Sequence, residues 1–181
     1  MDIEYEVEIR SFISESDYDR LKLFFDSDAK LQSISNQETY YLQANYDLRI
    51  QNDDHYAKIW LKKGSMHDSQ REEIEIIFNR ADFNKMYQLF SLLNHDIKIK
   101  WLRKRLEYDW AGIKVCLDNT KGYGYIIELE QKTIYEHECG IIYNTLEHRL
   151  KSLNINISSR EEFDIHYLDY QKNWKKYLEM E

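Results

Sequence analysis

The sequence predicts an α+β fold of roughly eight strands, most of them antiparallel, with helices packed on the outside. Three observations point there. Apolar and charged residues alternate with a period of two over many short segments, and other stretches between them repeat at helical spacing. Thr120-Lys121-Gly122-Tyr123-Gly124 reads as a turn joining two alternating segments, so those neighbours are expected to pair antiparallel. The chain has 181 residues, no proline and five glycines. With no tandem repeat and no Pro- or Ser-rich linker, a single domain over 1–181 is expected.

Taken in order, Ile3 to Phe12 sets Ile3, Tyr5, Val7 and Ile9 against Glu4, Glu6, Glu8 and Arg10, a strand with one charged face. Ser14 to Phe25 begins with a capping-box pattern, Ser14 and Asp17, and places Tyr18, Leu21 and Phe24 on one helical stripe. Tyr40 to Gln43, Asp47 to Gln51 and Ala57 to Lys62 follow as strands, the last setting Lys58, Trp60 and Lys62 against Ala57, Ile59 and Leu61. Arg71 to Ile76 alternates again. Asp82 is expected to cap a second helix carrying Phe83, Met86, Phe90 and Leu93. Three strands come next, over Ile97 to Tyr108, Ile113 to Asp118 and Tyr125 to Glu130, before a third helix over Ile141 to Leu153. The tail from Phe163 adds a fourth, with Tyr167, Tyr170, Trp174 and Tyr177 near one face; it either caps one end of the sheet or packs outside.

Composition removes several function classes. The 33 Asp+Glu exceed the 25 Lys+Arg, and a net charge of -8 argues against a nucleic-acid partner, which needs a basic surface. At 43% hydrophobic and 14% aromatic, with 15 Tyr, the chain is not a disordered one. No run reaches the length of a membrane span and the first residues are acidic, so neither a membrane partner nor a targeting peptide is expected, and the expected location is cytoplasmic. Cys116 and Cys139 fit neither a disulfide framework nor a zinc spacing, and the six histidines form no ligand pattern.

Any single alternating strand reads most simply as half-buried, with its charged side in water. Jointly the strands say more. Acidic pairs recur at Glu6/Glu8, Glu73/Glu75 and Glu128/Glu130, and cations occupy the same kind of position at Arg10, Arg49, Lys58, Lys62, Arg71, Arg103 and Arg105. The opposite parity is aliphatic and aromatic, as in a curling sheet with helices outside. A charged interior is costly unless the signs compensate or a ligand supplies the balance. Paired carboxylates make hard-oxygen ligands for Mg²⁺ or Mn²⁺, and Arg and Lys at several heights grip phosphates.

These motifs resemble those of the CYTH-domain proteins, the triphosphate tunnel metalloenzymes. Glu6-Val7-Glu8-Ile9-Arg10 is similar to the family's E-x-E-x-K, Leu48-Arg49-Ile50 to L-R-I-R, and Ile59-Trp60-Leu61-Lys62 to the strand ending in a phosphate-gripping lysine. Arg71-Glu72-Glu73-Ile74-Glu75 resembles R-E-E-x-E, and Arg103 to Tyr108 resembles K-x-R-x-x-Y. Leu117-Asp118, Gly122-Tyr123-Gly124 and Glu128-Leu129-Glu130 resemble the closing L-D, G-L-G and E-x-E. Lys62 rather than Lys63 is taken as the gripping residue, because it shares parity with Lys58 and Trp60 and leaves Leu61 for the outer core. Arg10 replaces the family lysine, and Gln51 stands where a second arginine is expected.

The resemblance implies a closed eight-stranded antiparallel barrel, a tunnel with a charged interior. It implies metal ligation by Glu6, Glu8, Glu128 and Glu130, with Glu73, Glu75 and Asp118 as further acidic candidates. Glu6, Glu8 and Arg10 would take the catalytic role, and Arg49, Lys58, Lys62, Arg71, Arg103 and Arg105 would hold a small-molecule triphosphate. The activity implied first is a metal-dependent triphosphatase. A class IV-type adenylyl cyclase is the alternative, with Tyr108, Trp60, Trp101 or Tyr123 lining a nucleoside pocket, and a non-catalytic polyphosphate or nucleotide-binding module is the third. Four Trp and many Tyr on outer faces would suit a homodimer.

Overall fold

The computed structural model describes residues 5–62 and 73–179, apart from the side chain of Glu73. Its strands are β1 (Tyr5–Ile13), β2 (Lys30–Leu42), β3 (Asp47–Asn52), β4 (Ala57–Lys62), β5 (Glu73–Phe78), β6 (Ile97–Trp110), β7 (Ile113–Thr120) and β8 (Gly124–Thr133). The α-helices are α1 (Glu15–Asp28), α2 (Phe83–Leu92), α3 (Cys139–Ser152) and α4 (Arg160–Glu179). The strands form one eight-stranded antiparallel sheet in the order β1-β8-β7-β6-β2-β3-β4-β5. β1 and β5 stand at the two ends of that order, and no ladder among the described residues joins them. The closed barrel implied by the resemblance is therefore seen as an eight-stranded sheet whose hydrogen-bonded order is open.

The chain divides into two compact units that interleave in sequence, Met1–Ile34 with Arg105–Asn119 and Gly124–Phe163, and Ser35–Lys104 with Thr120–Tyr123 and Asp164–Glu181. In the first, Val7 and Ile9 of β1, Leu106 and Tyr108 of β6, Ile113, Val115 and Leu117 of β7, and Ile127 and Leu129 of β8 pack under α1 and α3. This is the apolar parity read from the alternation. Each such side chain buried from water contributes about 1.5–3 kcal/mol. Ser14 caps α1 by accepting from the Asp17 backbone N–H, as the capping box predicts. The buried stripe is Tyr18, Leu21 and Phe25, with Phe24 only partly covered, so the expected stripe is off by one residue. Tyr108 lies in this core, against Phe25 and donating its hydroxyl to Asp26 at 2.8 Å, and does not line a ligand pocket.

The second unit has its own core of Leu42, Leu48, Ile50, Ala57 and Phe83, flanked by Ile59, Leu61, Met86 and Phe90. Leu61 in this cluster agrees with the register chosen for Lys62. Three expectations fail here. The helix α2 begins after Asp82, but that side chain makes no cap hydrogen bond and pairs with Lys85 instead, while Leu93 is exposed. The strand expected from Tyr40 begins ten residues earlier, at Lys30, because its first part pairs within the sheet without an apolar face to announce it. On β5 Ile74 and Ile76 are exposed, although their parity was expected to be covered.

Candidate functional site

Each unit carries its own charged face. In the first unit the β1–β8 register sets Glu6 opposite Lys132, Glu8 opposite Glu130, and Arg10 opposite Glu128. Directly opposed residues share a face, here the side away from Val7, Ile9, Ile127 and Leu129. Arg105 is the centre of this face. Its Nε and Nη2 both donate to the Asp118 carboxylate at 2.7 Å, and Nη2 also reaches Glu128 Oε2 at 3.1 Å. The Asp118 side chain is 3% exposed and that of Arg105 14%. Burial works against the guanidinium charge, but Asp118 and Glu128 outweigh it and raise the Arg105 pKa. Beside it, Lys114 Nζ donates to Glu130 Oε2 at 2.9 Å and lies 3.9 Å from Glu107. Burial again opposes the ammonium, while the Cys116 sulfur and the Glu130 carboxylate raise its pKa. Arg10 sits 3.8 Å from Glu8 and 4.5 Å over the Phe163 ring.

The carboxylates of this face are thus matched by cations. Among the described residues no three His, Cys, Asp or Glu side chains converge as a ready metal-holding group. Lys114 and Lys132 were missed in the sequence. The signal was present for both: Lys114 shares the parity of Cys116 and Asp118, and Lys132 that of Glu128 and Glu130.

The face of the second unit is built differently. Tyr41 stands opposite Arg49, and Arg49 opposite Trp60. Trp60 in turn stands opposite Glu75, and Lys62 opposite Glu73. Arg49 binds both oxygens of Asp47, at 2.7 and 2.5 Å, and its guanidinium lies 4.2 Å over the Tyr41 ring and 5.5 Å from that of Trp60. Burial works against this guanidinium, and Tyr41 and Asp47 nonetheless raise its pKa. Lys58 Nζ donates to Glu75 at 2.7 Å and lies 4.6 Å over Trp60. Arg103 donates to Gln37 Oε1 through Nε at 2.9 Å and Nη2 at 2.5 Å. Gln51, at the place of an expected arginine, donates to Gln37 and Thr39, so a neutral amide network replaces one cation. Arg71 and the side chain of Glu73 lie outside the described residues.

The tail helix belongs to this second face. Tyr167 packs on Tyr41, and Tyr170 packs on Trp101 while donating its hydroxyl to the Lys100 carbonyl at 3.1 Å. Tyr123 lies against Trp101, ring centroids 4.4 Å apart and tilted by 51°. Gly122, at φ +74°, supplies the left-handed turn and, by lacking a Cβ, the room that Tyr177 occupies. Trp101 under these rings and Trp60 beside Arg49 and Lys58 are both buried, which removes them from the outer aromatic surface expected to favour a dimer.

Cations and carboxylates at these positions are what the motif order implied, and the family model for the CYTH domain matches residues 4–156. The chain belongs to the CYTH domain family. Solved structures share its fold. A Pyrococcus horikoshii OT3 protein is 20% identical with a TM-score of 0.74, covering 91% of this chain and 99% of that one. A proposed adenylyl cyclase from Hippeastrum, described as having a dominant triphosphatase activity, is 19% identical with a TM-score of 0.66, covering 92% and 96%. A proposed adenylate cyclase from Vibrio parahaemolyticus is 13% identical with a TM-score of 0.68, covering 86% and 94%. No curated protein matches the chain. The helix α4, with Tyr167 and Tyr170, lies beyond the segment that the CYTH family model matches. Among the described residues no helix is long and apolar enough to cross a membrane.

Proposed function

We propose that this CYTH protein is a divalent-metal-dependent phosphohydrolase acting on a triphosphate. The observation that carries the reading is the Arg105 cluster: a buried guanidinium between Asp118 and Glu128, with Lys114 and Glu130 beside it, at the positions where the family motifs put phosphate and metal groups. Closure of the eight strands into a tunnel belongs to the same proposal.

The carboxylates fit Mg²⁺ or Mn²⁺ in donor chemistry, being hard oxygens from adjacent strands. Glu8 and Glu130 oppose each other directly, a like-charge pairing that a cation between them would relieve. Glu6, Glu8, Glu128 and Glu130 would hold the metal, with Asp118, Glu73 and Glu75 as further acidic groups. When bound, the metal supplies charge neutralisation of phosphate oxygens and lowers the pKa of bound water. Arg49, Lys58, Lys62, Arg71, Arg103 and Arg105 hold and orient the triphosphate, which is most of what phosphoryl transfer asks of a protein. Arg10 contributes charge beside Glu8 but accepts no proton, so it does not activate water.

Incubation with tripolyphosphate, ATP and thiamine triphosphate, each with Mg²⁺ or Mn²⁺, tests the reading by its products. Metal-dependent orthophosphate release is expected; cyclic AMP with pyrophosphate would instead establish the cyclase. The neutral Gln51 network and the ion-paired carboxylates favour a second reading, a triphosphate-binding module without turnover. Binding with no product would decide for it.

A further inference from the structure

Lys114 of β7 is neither a metal ligand nor one of the phosphate-holding cations of the reading above. Its Nζ donates to Glu130 Oε2 at 2.9 Å. Glu130 stands directly opposite Glu8 across the β1–β8 ladder, and Arg10 lies 3.8 Å from Glu8. Each member of this opposed acidic pair therefore has a cation of the chain beside it. The cations of the first unit differ in how firmly they are held. Arg105 is forked onto both Asp118 oxygens at 2.7 Å and reaches Glu128 as well. Lys114 donates one hydrogen bond among the described residues, its side chain is 39% exposed, and a second carboxylate, Glu107 of β6, lies 3.9 Å away. An ammonium on a flexible four-carbon stem passes between two such acceptors by rotating single bonds, whereas a forked guanidinium must break two hydrogen bonds at once. A divalent ion on Glu130 leaves no place for Lys114 there, because two positive centres a few ångströms apart repel.

We propose that Lys114 is the resident counter-ion of the metal site: it holds Glu130 while no metal is bound, and moves to Glu107 when a divalent cation takes Glu130. The inference rests on the metal reading above and adds Lys114 and Glu107 to it as positioning residues. With Lys114 in place, Glu130, 4% exposed, is not left as a buried carboxylate facing Glu8 without a cation. The same contact makes the site weak toward metal alone, since an arriving ion must displace an ammonium. Glu107 eases that exchange by receiving the ammonium on the same face.

Titration of the full chain with Mn²⁺ alone, the free ion being read from its electron paramagnetic resonance signal, reports this affinity without any turnover. Lys114→Met is expected to bind Mn²⁺ about tenfold more tightly than the wild type, because no ammonium opposes the ion. Lys114→Gln removes the charge but keeps a donor for Glu130; it should gain affinity too, and carries the test if Lys114→Met does not fold. Glu107→Gln, at a side chain 31% exposed, removes the second acceptor and should weaken Mn²⁺ binding roughly threefold. Combined with Lys114→Met it should have little effect, since the ammonium it receives is gone. Mn²⁺ binding that is measurable in the wild type and no tighter in either Lys114 variant overturns the counter-ion role and leaves the metal reading intact. An equal loss from Glu107→Gln with and without Lys114 overturns the exchange. Absence of Mn²⁺ binding in the wild type and in every variant overturns the metal reading and this inference together.

Discussion

The two units use charge in opposite ways. In the first, Arg105 and Lys114 are held by Asp118, Glu128 and Glu130, acidic partners that are themselves almost fully covered. In the second, Arg49 and Lys58 each have one carboxylate and lie over aromatic rings, Tyr41 and Trp60. A cation shared by buried carboxylates is tied to stability, since removing it leaves charges with neither water nor partner. A cation over a ring keeps part of its field for a ligand and sits where planar groups stack. The first face is an ion-paired cluster, and the second sets its cations against aromatic rings.

The largest effect that would break this contrast is on stability. Arg105→Ala should cost about 3–5 kcal/mol in urea denaturation, because Asp118 and Glu128 lose their shared partner. A cost below about 1 kcal/mol would mean that the first face is solvated like any strand surface. Lys114→Met should cost less, about 1–3 kcal/mol, as its own side chain is 39% exposed while Glu130 is left covered and unpaired. In the second unit Arg49→Lys should alter stability by only about 1 kcal/mol yet weaken tripolyphosphate binding roughly tenfold, since a lysine keeps the charge but loses the planar fork. An equal loss of stability in Arg49→Lys and Arg105→Ala would erase the distinction.

Smaller effects concern individual groups of the first unit. Burial pushes the Cys116 thiol up from its usual 9.0, so it should resist thiol reagents at pH 8 in the folded protein while the half-buried Cys139 reacts. A raised pKa means that the fold favours the protonated thiol. Its contribution is complete below the ordinary value and is lost as the pH rises beyond it, so stability should fall above about pH 9. Lys22 and Tyr108 hold the Asp26 carboxyl below 3.8. Its contribution is present above that value and is lost as the pH falls through the lowered one. Asp26→Asn should therefore lower stability slightly at neutral pH and flatten the acid end of the curve, the variant and the wild type converging at low pH.

Much of this arrangement was legible in the sequence because a strand puts alternate residues on opposite faces. The parity of Glu6, Glu8 and Arg10, of Arg49 against Leu48 and Ile50, and of Lys62 against Leu61 all follow from period two, and the structure keeps them. What parity does not give is partner choice. That Arg105 takes both Asp118 and Glu128 depends on the neighbouring order of β6, β7 and β8, and that Arg103 meets Gln37 depends on β2 reaching back to Lys30. The first part of β2 carried no apolar alternation, so its pairing was invisible locally. The tail helix was legible as an aromatic stripe, but its choice of face depends on Gly122 making room for Tyr177 and on Trp101 offering a ring to Tyr170.

The measurement that bears most directly on the central claim is orthophosphate release from a triphosphate, with and without Mg²⁺ or Mn²⁺, in the wild type and in Glu6→Gln. Glu6 is preferred to Glu128 because the latter also holds Arg105, and its loss would mix folding with chemistry. The account expects release that requires the metal and falls by about 100-fold in Glu6→Gln with the fold retained. Release that persists after the metal is chelated, or that is unchanged in Glu6→Gln, would contradict it.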